Sequence, residues 1–243
     1  MPANDPTGRR FGEAADAYER GRPEYPTAIV DWLLGDAPRR VVDLGAGTGK
    51  LTRGLIGRVE TVVAVEPDEV MRAALAQRLP GTSVIAGTGE DIPLRDAYAD
   101  TVVAGQSWHW VDPVRAVPEV ARVLRPEGML GLVWNDRDDD DPWITRLTDL
   151  LAEFGTSPDA SYEPIVGPPF GELETTEIAW TNHVTVDAVV DMVVSRSYVI
   201  ALPQGRRADL VRQVREHAYE GQDRSTALVP VRYVTRGYRA RLT

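Results

Sequence analysis

The run Val41-Val42-Asp43-Leu44-Gly45-Ala46-Gly47-Thr48-Gly49 sets a carboxylate two residues ahead of three alternating glycines. The two valines read as the end of a buried strand, and the glycines allow a turn that brings bare backbone against a ligand. A helical pattern over Thr48 to Arg58 makes this the loop that opens a helix. Strand, glycine loop and helix together form a nucleotide-handling unit of an α/β sheet. The carboxylate narrows the ligand. A pyrophosphate at the helix N-terminus is repelled by an acid there, whereas a ligand with a positive centre is attracted. A phosphate loop would need Gly-Lys-Ser/Thr after a four-residue gap, but here Lys50 is followed by Leu51; a dinucleotide fingerprint wants Gly or Ala where Lys50 stands. Capping of the following helix is the other reading of Asp43.

Further groups follow in order. Val62-Val63-Ala64-Val65-Glu66-Pro67 reads as a second strand ending in an acid that can accept two hydrogen bonds from vicinal ribose hydroxyls. Then come Gly87-Thr88-Gly89-Glu90-Asp91-Ile92-Pro93, Asp100-Thr101-Val102-Val103, and Val120-Ala121-Arg122-Val123-Leu124-Arg125-Pro126-Glu127-Gly128. In this sequence, over roughly residues 11 to 135, the motifs resemble those of the class I S-adenosylmethionine-dependent methyltransferases.

The resemblance implies S-adenosyl-L-methionine as cofactor and assigns its contacts. Asp43 reaches the methionine amino group, with Gly45, Ala46, Gly47 and Gly49 beneath the ligand. Glu66 takes the ribose, Pro67 and Met71 lie against the adenine, and Gly89 and Glu90 belong to the adenine-edge loop. Thr88 departs from the family's usual acid in that loop and weakens the expected adenine bond. Gln106 and Ser107 bond the cofactor carboxylate or the acceptor, and His109, in Gln106-Ser107-Trp108-His109-Trp110 after the fourth strand, is the candidate catalytic residue. The leader Arg22-Pro23-Glu24-Tyr25-Pro26 is similar to that of a small-molecule subgroup of trans-aconitate methyltransferase-like proteins, which implies that Tyr18 and Arg22 close on the methionine carboxylate. Met71 as a core residue, Arg22 as a surface arginine and His109 as a packing residue are the plainer readings. Trp108 and Trp110 read as wall or core, and His183 and His217 as structural or surface residues.

The implied activity is transfer of a methyl group to a small-molecule acceptor by in-line displacement, on a carboxylate or hydroxyl oxygen. No Asn/Asp-Pro-Pro-Tyr/Phe signature of amino-methylating enzymes follows the fourth strand. Arg137, Arg196, Arg206 and Arg207 fall in the presumed lid and suit an anionic acceptor. One alternative is a non-catalytic cofactor-binding regulator; another is a nicotinamide-dependent dehydrogenase, which Asp43 and Lys50 oppose.

Bulk properties bound the rest. A net charge of −10 argues against nucleic acid as the main partner. There is no cysteine, hence no disulfide or thiolate metal site. Metal ligation is not expected elsewhere, since Asp138 to Asp141 lack the glycine and terminal glutamate of a calcium loop and read as a solvated turn. Residues 1–10 lack the apolar core of a secretory signal, and no apolar run approaches the ~20 residues that span a bilayer, so a cytoplasmic protein without a membrane partner is expected. Oligomeric state is not legible.

Apolar runs at 41–44, 61–65, 83–86, 101–104 and 129–134 alternate with helical patterns. That predicts an α/β, Rossmann-like, doubly wound and mostly parallel sheet, which the resemblance extends to seven strands with an antiparallel last strand and a helical lid over the acceptor. A single domain over 1–243 is expected: a leader (1–35), a cofactor-binding half (36–135), and lid insertions with C-terminal strands (136–243), the lid at 136–175 and 196–225. Later patterns predict helices at 143–154, 186–195 and 206–220 and strands at 177–185 and 230–239.

Overall fold

Five apolar runs become parallel strands in the computed structural model, which describes residues 19–35, 38–155, 163–220 and 228–243. Tyr18 lies outside them. The strands are β1 (Arg40–Leu44), β2 (Thr61–Val65), β3 (Ser83–Ile85), β4 (Ala99–Gly105) and β5 (Leu124–Arg137). Two more, β6 (Glu174–Thr185) and β7 (Leu228–Arg241), complete a sheet of order β3-β2-β1-β4-β5-β7-β6. β7 runs antiparallel to its neighbour β5: the Asp138 amide donates to the Arg232 carbonyl, and ten residues back along β5 the Gly128 carbonyl accepts from Leu242. Slotting β7 inside β6 is what the alternation along the chain could not foretell.

Helices α1 (Thr27–Leu34), α2 (Lys50–Leu55), α3 (Glu69–Arg78) and α4 (Pro113–Val123) belong to the parallel part. Val41, Val42, Val102, Val103, Leu130 and Leu132 are almost completely buried, as expected of strands covered on both faces. α2 stops at Leu55, short of the expected Arg58, because Ile56 turns extended and its amide closes on the Thr52 carbonyl. β5 starts five residues early: Leu124 pairs with Ala99, and the register then slips so that Thr101 faces Met129. Asp112 caps α4 through the Val114 amide, with Pro113 in its first turn, and the helix runs on past Pro118.

The chain divides into two compact units. One comprises Glu24–Asn135, Tyr162–Ile178 and Thr235–Thr243, where described, and holds the parallel strands. The other comprises Met1–Pro23, Asp136–Ser161 and Ala179–Val234, where described. Its core joins α5 (Pro142–Glu153), α6 (Val186–Val194) and α8 (Gln204–Tyr219), α7 being the short Ser197–Ile200 between them. Ile144, Leu147, Val189, Val193, Leu210 and Val214 form that core. The expected lid segments thus share a core with helix 186–194, which lies outside the expected lid ranges.

The acidic run is not the solvated turn expected. Asp138 is buried and pairs with Arg232 at 3.0 Å, and Asp141 caps α5 by accepting from the Trp143 and Ile144 amides. Only Asp139 and Asp140 are exposed. His217 is buried, stacks on Trp143 and lies 3.0 Å from its carbonyl, while His183 is exposed. Both are accounted for by structure.

Candidate cofactor and acceptor site

β1, β2 and β4 are adjacent and parallel, so their carboxyl ends open on one edge. The strand order reverses between β1 and β4, where a crevice forms in open α/β sheets. Asp43, near the end of β1, is fully buried. Its Oδ2 accepts the Thr52 hydroxyl at 2.5 Å, but Oδ1 is buried without a hydrogen-bond partner. Burial, aided by the neighbouring charge of Glu66 and opposed by the Thr52 hydrogen bond, pushes the Asp43 carboxyl up to about 7. A buried acceptor with an unmet oxygen is costly, and a cationic donor would relieve it. Asp43 is not the helix cap: that position belongs to Gly49, with no side-chain cap bond.

The loop above is drawn tight. Gly45 and Ala46 amides both donate to the Val65 carbonyl, at 2.8 and 3.1 Å. Gly45 has φ +69°, and a Cβ there would lie 2.5 Å from Ser107 Cβ. Gly45→Ala is therefore expected to cost about 2 kcal/mol or more, measured by urea unfolding. Gly47, also at positive φ, has open space where a side chain would go. A glycine loop with open space at Gly47, following a strand that carries an unmet carboxylate, suits a small ligand with an ammonium group.

Glu66 is buried at the end of β2, its Oε2 accepting from the Gly47 amide at 2.8 Å and its Oε1 from the Asp68 amide at 2.9 Å. A carboxylate has about four lone-pair directions, so both oxygens can still receive ribose hydroxyls. Pro67 is exposed and Met71 half-buried, at the start of α3 where Asp68 caps the Met71 amide. Gly89 is buried against Val111. Glu90 accepts from the Asp112 amide at 2.7 Å; burial works against its charge, but the hydrogen bonds from Asp112 and Thr88 and the nearby Arg115 hold it below its ordinary value.

Ser107 and Gln106 serve the scaffold. Ser107 Oγ donates to the Leu44 carbonyl at 2.7 Å, and Gln106 Nε2 to the Asn135 carbonyl at 3.1 Å. Each keeps an oxygen able to accept. Trp108 is buried with its Nε1 on the Ile165 carbonyl, but Trp110 is 80% exposed, so it is neither wall nor core within its unit. His109 is exposed beside it, with Nδ1 at 3.5 Å from Trp134 Nε1. Thr52 was missed at the sequence level. Its signal was a hydroxyl on the buried Leu51, Thr52, Leu55 face of α2. Asn135 was missed too: it is buried, with Oδ1 taking the Thr235 hydroxyl at 2.6 Å and Nδ2 reaching the Glu24 carbonyl at 3.3 Å. Arg22 falls in the other unit, near Arg137, Arg196 and Tyr233. Arg206 reaches the Glu153 carbonyl and lies over the Phe154 ring, while Arg207 is exposed.

Residues 42–132 match the family model described as a methyltransferase domain. An uncharacterized methyltransferase of Mycobacterium tuberculosis is 49% identical over 207 residues, covering 85% of this chain and 84% of the relative. An uncharacterized methyltransferase-like protein of Schizosaccharomyces pombe is 34% identical and covers 77% of each chain. Among solved structures, a type II methyltransferase from Anaeromyxobacter dehalogenans superposes with a TM-score of 0.68 at 25% identity, covering 90% of this chain and 97% of that one.

Proposed function

The chain belongs to the class I S-adenosylmethionine-dependent methyltransferases, and on that premise we propose that it methylates an oxygen of a small-molecule acceptor. The carrying observation for cofactor placement is the buried Asp43 with an unmet Oδ1 under the glycine loop and beside Glu66. When bound, S-adenosylmethionine would supply a sulfonium methyl group, which an acceptor oxygen would take in line with S-adenosylhomocysteine as the leaving group. Asp43 would hold the amino group, Glu66 the ribose, and Gly45, Ala46, Gly47 and Gly49 the backbone side of the ligand. Pro67, Met71, Gly89 and Glu90 would border the adenine, and Gln106 and Ser107 would present acceptor oxygens nearby.

With so strong a leaving group, the protein's task is alignment, which contributes on the order of 7 to 11 kcal/mol at best. His109 is proposed to meet the acceptor through Nε2. With Nδ1 turned to the Trp134 N–H, hydrogen bonding assigns the neutral ring's proton to Nε2. That makes His109 a donor to an anionic oxygen rather than a base, a role that suits a carboxylate already ionised at neutral pH. His109→Ala is expected to lower turnover roughly tenfold to a hundredfold, the worth of one hydrogen bond to a charged group. A loss above about a thousandfold with a rate rising through the histidine range would assign a base instead. An unchanged rate at saturating cofactor would remove His109 from the mechanism.

The test of the whole reading is calorimetric titration with S-adenosylmethionine and S-adenosylhomocysteine, NAD serving as control. An acceptor screen read by S-adenosylhomocysteine formation follows, spanning carboxylic acids, phenols, alcohols, amines and thiols. Product from oxygen acceptors supports O-methylation, and product from amines or thiols alone overturns it. Among the described residues no helix is long and apolar enough to cross a membrane.

A further inference from the structure

The short helix α2 buries a hydroxyl where its neighbours are hydrocarbon. Its buried residues are Leu51, Thr52 and Leu55, and Thr52 is completely covered. Leu51 and Leu55 pack with Val30, Val41 and Val103. A helix face turned to such a core is ordinarily apolar, and a threonine there adds a polar group that needs a partner. The usual partner of a helical threonine hydroxyl is the carbonyl one turn back. Here the hydroxyl instead donates to Oδ2 of Asp43, nine residues earlier on β1, at 2.5 Å.

What surrounds Asp43 gives that bond its weight. On β1, Asp43 lies opposite Ala64 of β2 and Val103 of β4, so neither flanking strand offers a side-chain donor at that level. Ser107, just past β4, gives its hydroxyl hydrogen to the Leu44 carbonyl. The cations of α2, Lys50 and Arg53, pair with Glu24 at 3.5 and 2.6 Å. The charge acting on Asp43 from the end of β2 is Glu66, of the same sign. Thr52 supplies the hydrogen bonds to Asp43, by its hydroxyl and to a smaller extent by its backbone. A carboxylate turns through a broad torsional well, so a donor fixed on one oxygen decides where the other points. The other is Oδ1, buried and without a hydrogen-bond partner.

We propose that Thr52 is a positioning residue of the cofactor site, holding Asp43 by Oδ2 so that Oδ1 is left to receive the ammonium group of S-adenosylmethionine. The inference rests on the placement of that ammonium group at Asp43 and deepens it. Thr52 acts in two ways. It fixes the carboxylate plane before the ligand arrives, and it favours the ionised form against burial and the charge of Glu66. Without the hydroxyl, Asp43 takes up its proton at higher pH and loses the charge that attracts the cofactor.

The test is calorimetric titration of S-adenosylhomocysteine into the parent, Thr52→Val, Thr52→Ser and Asp43→Asn chains across a range of pH. Thr52→Val keeps the shape of the side chain and should bind at least about tenfold more weakly near neutral pH. The pH below which affinity falls should move up by about one unit. Thr52→Ser restores a hydroxyl and should restore both. In the Asp43→Asn background, Thr52→Val should change affinity little, because the group it acts through is gone. The cofactor-free chain gives a separate reading: Thr52→Val should lower Tm more at about pH 9 than at about pH 6, since the acid raised further on folding loses more stability on ionising. Should Thr52→Val fail to fold, Thr52→Ala decides by the same measurements. Parent affinity in Thr52→Val overturns the proposal. So does an equal loss at every pH, or one that Thr52→Ser does not restore, either of which makes Thr52 a packing residue. If Asp43→Asn binds as the parent does, the ammonium placement fails and this proposal with it. If Asp43→Asn loses affinity and Thr52→Val does not, only the role of Thr52 fails.

Discussion

Asp43→Asn is expected to bind S-adenosylmethionine at least a hundredfold more weakly than the parent chain and yet to unfold at a higher temperature near pH 8. The two effects share one cause. Asp43 is buried, its ordinary value is 3.8, and burial pushes it up to about 7 in the folded protein. For an acid raised on folding, the unfolded chain releases its proton first as pH rises. The resulting loss of stability is absent below about pH 4, grows between about 4 and 7, and is complete above that range. Three pH units correspond to roughly 4 kcal/mol at most. An asparagine carries no such penalty, though its amide N–H₂ needs acceptors that Oδ1 did not, which takes back about 1 to 3 kcal/mol. The variant-minus-parent difference in Tm should therefore climb from pH 4 to pH 8. A difference independent of pH would mean that Asp43 titrates like an exposed acid.

Cofactor reverses the sign. An ammonium held by Oδ1 favours the ionised carboxylate, so the parent's affinity should fall about tenfold per pH unit below 7. Asparagine cannot supply that charge, and removing one member of a buried charged pair costs about 3 to 5 kcal/mol. Calorimetry at about pH 6 and pH 8 on both proteins reads this directly. Equal affinity of parent and variant would remove Asp43 from the cofactor site.

Glu66→Ala carries the second large effect, on binding and stability together. Glu66 joins the end of β2 to the glycine loop by accepting from Gly47 and Asp68 amides at 2.8 and 2.9 Å. Truncation leaves both amides without their acceptor, at about 1 to 3 kcal/mol each where water does not replace it. A loss of 2 kcal/mol lowers Tm by about 4 to 8 °C in a chain of this size. On the proposed placement two ribose hydroxyls would lose a charged acceptor as well, so S-adenosylhomocysteine should bind at least a hundredfold more weakly. Glu66→Gln should lie between, because an amide keeps one accepting oxygen. If Glu66→Ala loses stability but keeps affinity, Glu66 is a loop pin only.

What the amino-acid order settled by itself lies where neighbours in sequence are neighbours in space. Val41 to Leu55 carried strand, turn and helix in one stretch, so Asp43 and the glycine loop were legible before any fold was known. Glu66 was legible for the same reason, as the last residue of an apolar run. The parallel strands showed as unbroken apolar runs because a sheet buried on both faces tolerates little else.

Tertiary structure decided everything that depends on meetings between distant segments. Thr52 looked like an ordinary helical residue until α2 packed its hydroxyl onto Asp43. Ser107 gives its hydroxyl hydrogen to the Leu44 carbonyl, so the fold leaves it only an accepting oxygen for any ligand. Asp138 read as solvated and became buried when β7 brought Arg232 to it. Trp110 read as wall or core, yet its single helical turn leaves it 80% exposed. The raised carboxyl of Asp43 and the gathering of Arg22, Arg137 and Arg196 at Tyr233 have the same origin. Desolvation and the approach of like charges are properties of the packed interior, and a sequence contains them only after folding has brought its segments together.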